Sequence, residues 1–253
     1  MTGLEMLAVL LAGIAAGALN AIVGSGTLIT FPVLLAIGYP PVLANVSNTV
    51  GLTPGSVSGA VGYRTELAGQ RARLVSLGFA SVLGGLTGAV LLLTLPPGAF
   101  RAIVPVLIGI SLVLVVLQPR LSRRLGAKSD AAARSDRPGA ALHAGVYGAG
   151  IYGGYFGAAQ GVLLIGLLGA FLHEDLQRIN AAKNVLAGLV NGMAALVFVA
   201  VADVAWEAAG LIAVGSVIGG QLGASIGRRV PSPALRGLIV VVGVLAIVKI
   251  LVG

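Results

Sequence analysis

The chain reads as a series of apolar runs divided by short polar or glycine-rich breaks. The runs fall at roughly 4–23, 27–38, 42–62, 74–95, 99–117, 141–159, 161–172, 180–201, 208–227 and 234–252. A helix needs about 20 apolar residues to cross a bilayer. The runs 27–38 and 161–172 are too short, and each follows a break: Gly24-Ser25-Gly26 and Gly157-Ala158-Ala159-Gln160-Gly161. The pattern predicts an all-α polytopic membrane protein. The short segments predict re-entrant helical hairpins that enter and leave on one side. Pro32 lies early in the first short helix, where a missing N–H costs less.

The pattern also repeats. Asn45 and Asn180 are 135 positions apart, and the same offset pairs Gly26 with Gly161, Ser81 with Ser216, Gly88 with Gly223 and Arg101 with Arg236. The expected organisation is a first transmembrane repeat over 1–117, a linker over 118–140 and a second repeat over 141–253. Glycines spaced four apart, such as Gly84–Gly88 and Gly215–Gly219–Gly223, lie on one helix face and let backbones approach closely in lipid.

Composition agrees with this picture. Hydrophobic residues make up 57 % and charged residues 9 % of the chain, against about 25 % charged in soluble domains. The net charge of +8 is not a nucleic-acid footprint, because Arg120, Arg123, Arg124, Lys128, Arg134 and Arg137 all fall in the linker. That is the positive-inside pattern of a cytoplasmic loop. The first apolar run lacks a basic leader and is mirrored at 141–160, so it is expected to be part of the mature protein. There is no Cys, and hence no thiolate metal site or Cys nucleophile.

Loop charges orient the repeats. Loop 63–73 carries Arg64, Arg71 and Arg73 against Glu66 and should face the cytoplasm. Loop 202–207 carries Asp203 and Glu207 and should face out, whereas 228–236 carries Arg228, Arg229 and Arg236 and should face in. Loops equivalent under the offset then face opposite sides. The expected fold is two inverted repeats, each a re-entrant hairpin plus three transmembrane helices, with both termini outside. The rival topology has four full crossings per repeat and parallel repeats, and Arg101 outside weakly favours it.

Candidate chemistry gathers at the breaks. Lys183 lies in Asn180-Ala181-Ala182-Lys183-Asn184, at the start of an apolar helix. It either faces an interior site or snorkels to the interface. The equivalent stretch of the first repeat holds Asn45 and Asn48. The short helices begin near Gly26 and Gly161, and helix N-termini attract anions. Ser25, Thr27 and Gln160 add side-chain donors. Every carboxylate falls in a loop or at a helix end, which argues for an anionic substrate. The expected substrate site is Ser25, Gly26, Thr27, Asn45, Asn48, Gln160, Gly161, Asn180, Lys183 and Asn184. No catalytic residue, metal or cofactor is expected. His173-Glu174-Asp175 lacks the second His of a zinc helix, and no phosphate-binding loop is present.

The run from Asn20 through Pro32, Gly38 through Asn45, Gly153 through Gly161 and Asn180 through Asn184 resembles the TauE/SafE family of sulfite and organosulfonate exporters. The resemblance covers nearly the whole chain, with Ser25 at a position commonly Gly. It implies a bacterial inner-membrane transporter of small sulfur-containing anions or organic acids. The expected function is secondary transport, with export as the expected direction, of small anions such as sulfite, organosulfonates or small carboxylates by alternating access at a midplane site between the repeats, with the lipid bilayer as surroundings and no nucleic-acid partner. A passive anion channel and a membrane assembly protein are the alternatives. Oligomeric state is open, a homodimer being one option.

Overall fold

The computed structural model describes residues 1–127, 139–172 and 174–226, together with helical positions 237, 240, 241 and 244. The linker residues 128–138, His173, the basic loop 228–236 and most of the tenth apolar run lie outside the described residues.

Among the described residues the fold is all-helical. The order is α1 (Gly3–Ile22), α2 (Thr27–Ile37), α3 (Pro41–Gly62), α4 (Arg71–Thr94), α5 (Pro97–Ala127), α6 (Ala140–Tyr155), α7 (Gln160–Phe171), α8 (Leu176–Val201) and α9 (Trp206–Ile226). Thr2 and Glu5 form a reciprocal capping box at the start of α1, satisfying two of the N–H groups that a helix start leaves free. Among the described residues, five stretches are long and apolar enough to cross a membrane: α1, α4, Gly98–Leu117 within α5, α8 and Trp206–Ser225 within α9. Helices α2 and α7 are too short. The exterior is apolar, with Phe79 70 % and Leu196 69 % exposed, which suits contact with lipid rather than water. Several boundaries differ from the apolar runs, α8 for one starting at Leu176, four residues before its run. Helix α5 continues ten residues past 117 into the polar stretch, and α6 stops at Tyr155, where the second break already begins.

Glycines set how the helices pack. A Cβ on Gly13 or Gly17 of α1 would press into the backbone of Ile212 or Ser216 of α9, and one on Gly223 would press into Ala18. Numbers rise together along both helices, so they run parallel. Helix α3 runs the same way against α9, through Gly51 with Ile212, Gly55 with Ser216 and Gly62 with Ala224. Helices α4 and α6 pair likewise, through Gly84 with Tyr147 and Gly88 with Ile151. The pair α1–α9 becomes the pair α4–α6 when every residue is shifted by the repeat offset. Asn191 donates to Ser56 Oγ at 3.2 Å, and these two are themselves offset equivalents. Gly192 behaves differently from the other stripe glycines: nothing approaches the space where its Cβ would stand.

Loop contacts define two ends of the bundle. At one end, Met1 N lies 3.6 Å from Glu207, and burial, followed by the nearby carboxylates of Glu207 and Glu5, raises the pKa of Tyr39. At the other, Arg178 Nη2 donates to Ala68 O at 3.1 Å, and Ser76 pairs with His143 at 2.8 Å.

Candidate functional site

The two breaks meet inside the bundle. Both turn through left-handed backbone at offset-equivalent positions, Gly24 (φ +83°) and Ala159 (φ 59°). Left-handed φ favours glycine, so Ala159 carries a small strain that the fold around it holds in place. The N–H of Gly161 donates to Gly24 O at 3.1 Å. A Cβ on either glycine would strike the other's Cα, and one on Gly161 would also meet the Lys183 side chain. Glycine is required here by close approach.

Around this junction α8 grips the end of α1, and α3 grips the end of α6. From α8, Asn180 Nδ2 donates to Ala21 O at 3.1 Å, Asn184 Nδ2 to the same oxygen at 3.2 Å, and Lys183 Nζ to Asn20 O at 2.8 Å and Ala21 O at 3.2 Å. Positions i, i+3 and i+4 share one helix face, so all three side chains converge on the last turn of α1. A cation there also complements the negative end of the α1 dipole. Lys183 is fully buried, so it does not snorkel. In the opposite sense, Asn45 Nδ2 donates to Tyr155 O, in the last turn of α6, at 3.0 Å. Asn48, the offset equivalent of Lys183, turns instead to its own hairpin: its Nδ2 donates to Thr27 Oγ1 at 3.2 Å and its Oδ1 accepts from Thr30.

The structure thus brings the sequence-predicted residues to one junction. Gly26 abuts the Ala16 backbone of α1. Gln160 is buried against Gly153, whose missing side chain makes room for it. The start of α7 is less open than its dipole suggests, because Gly161 N–H and Gln160 N–H already have carbonyl partners. Sequence reading did not single out Ser56, which accepts from both Asn20 and Asn191. Its signal was the offset itself, which equates Ser56 with Asn191.

Four of the gathered residues keep a buried polar atom with no protein partner: Ser25 Oγ, Gln160 Nε2, Asn45 Oδ1 and Asn180 Oδ1. A buried orphan costs about 1–3 kcal/mol, and such groups call for a water or a ligand. Ser25 hydroxyl and Gln160 amide are donors. A cavity of about 350 Å³ reaches Asn184 and Ser56 from the side, lined also by Arg64, Leu67 and Leu189. A larger one, of about 760 Å³, opens at the Glu207 end between Pro40, Leu43, Val46, Leu93, Arg101 and Asp203. No cluster of metal-ligating side chains occurs among the described residues.

A family profile described as Sulfite exporter TauE/SafE matches residues 9–250. "Probable membrane transporter protein YfcA" of Escherichia coli (strain K12) is 25 % identical over 237 residues, covering 93 % of this chain and 86 % of that protein. A "Probable membrane transporter protein" of Haemophilus influenzae is 24 % identical over 250 residues, covering 98 % of this chain and 95 % of its own. No solved structure matches the chain.

Proposed function

The chain belongs to the sulfite exporter TauE/SafE family of membrane transporters, and we propose that it carries small anions such as sulfite, organosulfonates or small carboxylates by alternating access at the junction of the two breaks. The observation that carries this reading is the set of unpartnered polar atoms there, Ser25 Oγ and Gln160 Nε2 among them. Ser25 Oγ–H and Gln160 Nε2–H are free donors near the buried Lys183 side chain, whereas the Asn45 and Asn180 oxygens are free acceptors, and every described carboxylate lies at a loop or helix end. Oxygen-rich anions are the ligands that such a donor set recognises.

The repeats are read as inverted. Helix α4 begins beside α6 and α8, at the end where Ser76 meets His143 and Arg73 meets Glu174. Its equivalent α9 begins at the other end, beside Met1. Helices α1 and α2 form a hairpin whose ends lie near Glu207, since Glu5 and Tyr39 both do. Helices α6 and α7 form a hairpin whose ends lie near Ser76 and Arg73. The basic linker and loop 63–73 then face the cytoplasm of a bacterial inner membrane, with the termini periplasmic, and the repeats occupy 1–117 and 141–253 around the 118–140 linker. Export is the favoured direction, because an inside-negative potential drives an anion outward with about 2.3 kcal/mol per charge per 100 mV.

The test is labelled sulfite uptake into proteoliposomes by Ser25→Ala and Gln160→Ala proteins. Neither donor holds the fold together, so melting temperatures should stay at or above the parent value. The concentration for half-maximal uptake should rise roughly tenfold, the effect of losing one hydrogen bond of about 1.5 kcal/mol to a charged ligand. Unchanged saturation in both proteins removes these residues from the site.

A further inference from the structure

The two ends of the bundle are closed differently, although the offset makes them equivalent. At the Arg73 end, Glu174 stands between two arginines. Its Oε1 accepts from Arg73 Nη1 at 2.9 Å and its Oε2 from Arg178 Nε at 2.5 Å. Arg178 Nη2 reaches Ala68 O at 3.1 Å, and Gln70 Nε2 donates to Arg178 O at 3.2 Å and Glu66 O at 2.8 Å. These bonds tie three segments together: the α3–α4 connection, the start of α4, and the α7–α8 connection with the start of α8. The Glu174 and Arg73 side chains are 16 % and 12 % exposed, so the pairs are partly shielded from solvent.

Beneath this cluster lies a small apolar plug. Tyr63, Ala181 and Ala224 are buried together with Ala21, and Leu67 packs on them. Ala21 is the residue whose carbonyl accepts from Asn180, Lys183 and Asn184. The plug therefore separates the break junction from this end of the bundle.

The equivalent positions at the opposite end cannot build the same cluster. The offset equates Glu174 with Tyr39, Arg178 with Leu43 and Arg73 with Ala208. The links found there are Ala205 N–H to Ser47 Oγ at 2.9 Å and the Met1–Glu207 contact. Beside them opens the cavity of about 760 Å³, lined by Leu43 itself and Val42.

We infer that Arg73, Glu174 and Arg178, above the Tyr63–Ala181–Ala224 plug, form the gate on the linker side of the transporter, and that the structure is the form in which this clasp is shut while a cavity stands at the Asp203 end. This rests on the transport reading and deepens it. To pass substrate, the clasp must part, moving the α7–α8 connection away from α4, and the opposite cavity must narrow.

The absence of native cysteine allows a direct test, because single cysteines report access. Two reporters, Ala181→Cys in the plug and Val42→Cys in the opposite cavity, are reacted with a small membrane-impermeant thiol reagent from either side of oriented vesicles. With the clasp intact, Val42→Cys is labelled and Ala181→Cys is protected. Adding Glu174→Gln or Arg73→Gln should speed labelling at position 181 from the linker side by roughly tenfold or more and slow it at position 42, the mark of a shifted two-state equilibrium. Local loosening alone would raise labelling at 181 and leave 42 unchanged, which overturns the coupled gate. Unchanged labelling at both positions, in monodisperse protein, overturns it also. No substrate is needed, so the outcome is separate from whether sulfite is carried: intact sulfite flux with unresponsive labels would sink the gate alone.

Discussion

Glu174 shows how much one side chain can be asked to do. Burial pushes its carboxyl up, but the hydrogen bonds and charges of Arg178 and Arg73 outweigh that and hold its pKa below the usual carboxylate value. A depressed carboxylate pKa adds stability that is present above the unfolded value, about 4.3, and is lost as pH falls through the folded value. Thermal melts of the detergent-solubilised protein should therefore fall in stability between about pH 5 and pH 3, and Glu174→Gln should flatten that dependence while lowering stability at pH 7. An identical pH profile in the variant would mean that the cluster contributes nothing to the fold. Lys183 is a different case. Its charge was legible in the sequence, but its partners were not. They are backbone carbonyls of Asn20 and Ala21, 163 and 162 positions away, and only tertiary structure brings those into reach.

At the level of helices, the alternation of apolar runs and breaks located nearly every element, because a bilayer forces backbone hydrogen bonds to close within helices. Helix α3 was legible as an apolar run, yet it buries Asn45, Ser47 and Asn48. Its start is a polar contact surface within the protein. The α5 extension to Ala127 is not legible in the sequence, since past 117 the segment carries Arg and Gln and reads as loop by hydrophobicity alone. Glycine spacing indicated close packing but not which glycines touch. Gly219 meets Ile14 backbone and its equivalent Gly84 meets Tyr147, whereas Gly192 meets nothing. Alanine at Gly219 or Gly84 must force two backbones apart and should cost about 1–3 kcal/mol. Alanine at Gly192 removes unfolded-state freedom within a helix and should stabilise by up to about 1 kcal/mol. Melting temperatures of the three variants check this, and equal effects at Gly219 and Gly192 would contradict the packing described.

At the scale of the molecule, several contacts among the described residues recur at positions related by the offset. The α1–α9 and α4–α6 pairs correspond, and Ser56 touches its own equivalent, Asn191. What the sequence could not display is how far the two halves have diverged in detail. Asn48 ties α3 to its own hairpin, while Lys183 ties α8 to the hairpin of the other repeat. One end of the bundle is clasped by ion pairs, while the other holds an open cavity. A carrier needs two closures that do not open together, and closures of unlike chemistry let the two states differ in energy. The family assignment fixes a membrane transporter; the proposed function adds that a small anion pauses at the junction of the breaks, beside its unfilled donors.

The measurement that tests this most directly is substrate counterflow. Proteoliposomes preloaded with unlabelled sulfite are diluted into trace labelled sulfite with no imposed potential. A carrier that alternates a single site between the two sides should drive transient uphill accumulation of label, and Gln160→Ala should weaken it at low sulfite. Simple equilibration of label, without overshoot and without saturation, would contradict alternating access and mark the chain as a passive pore.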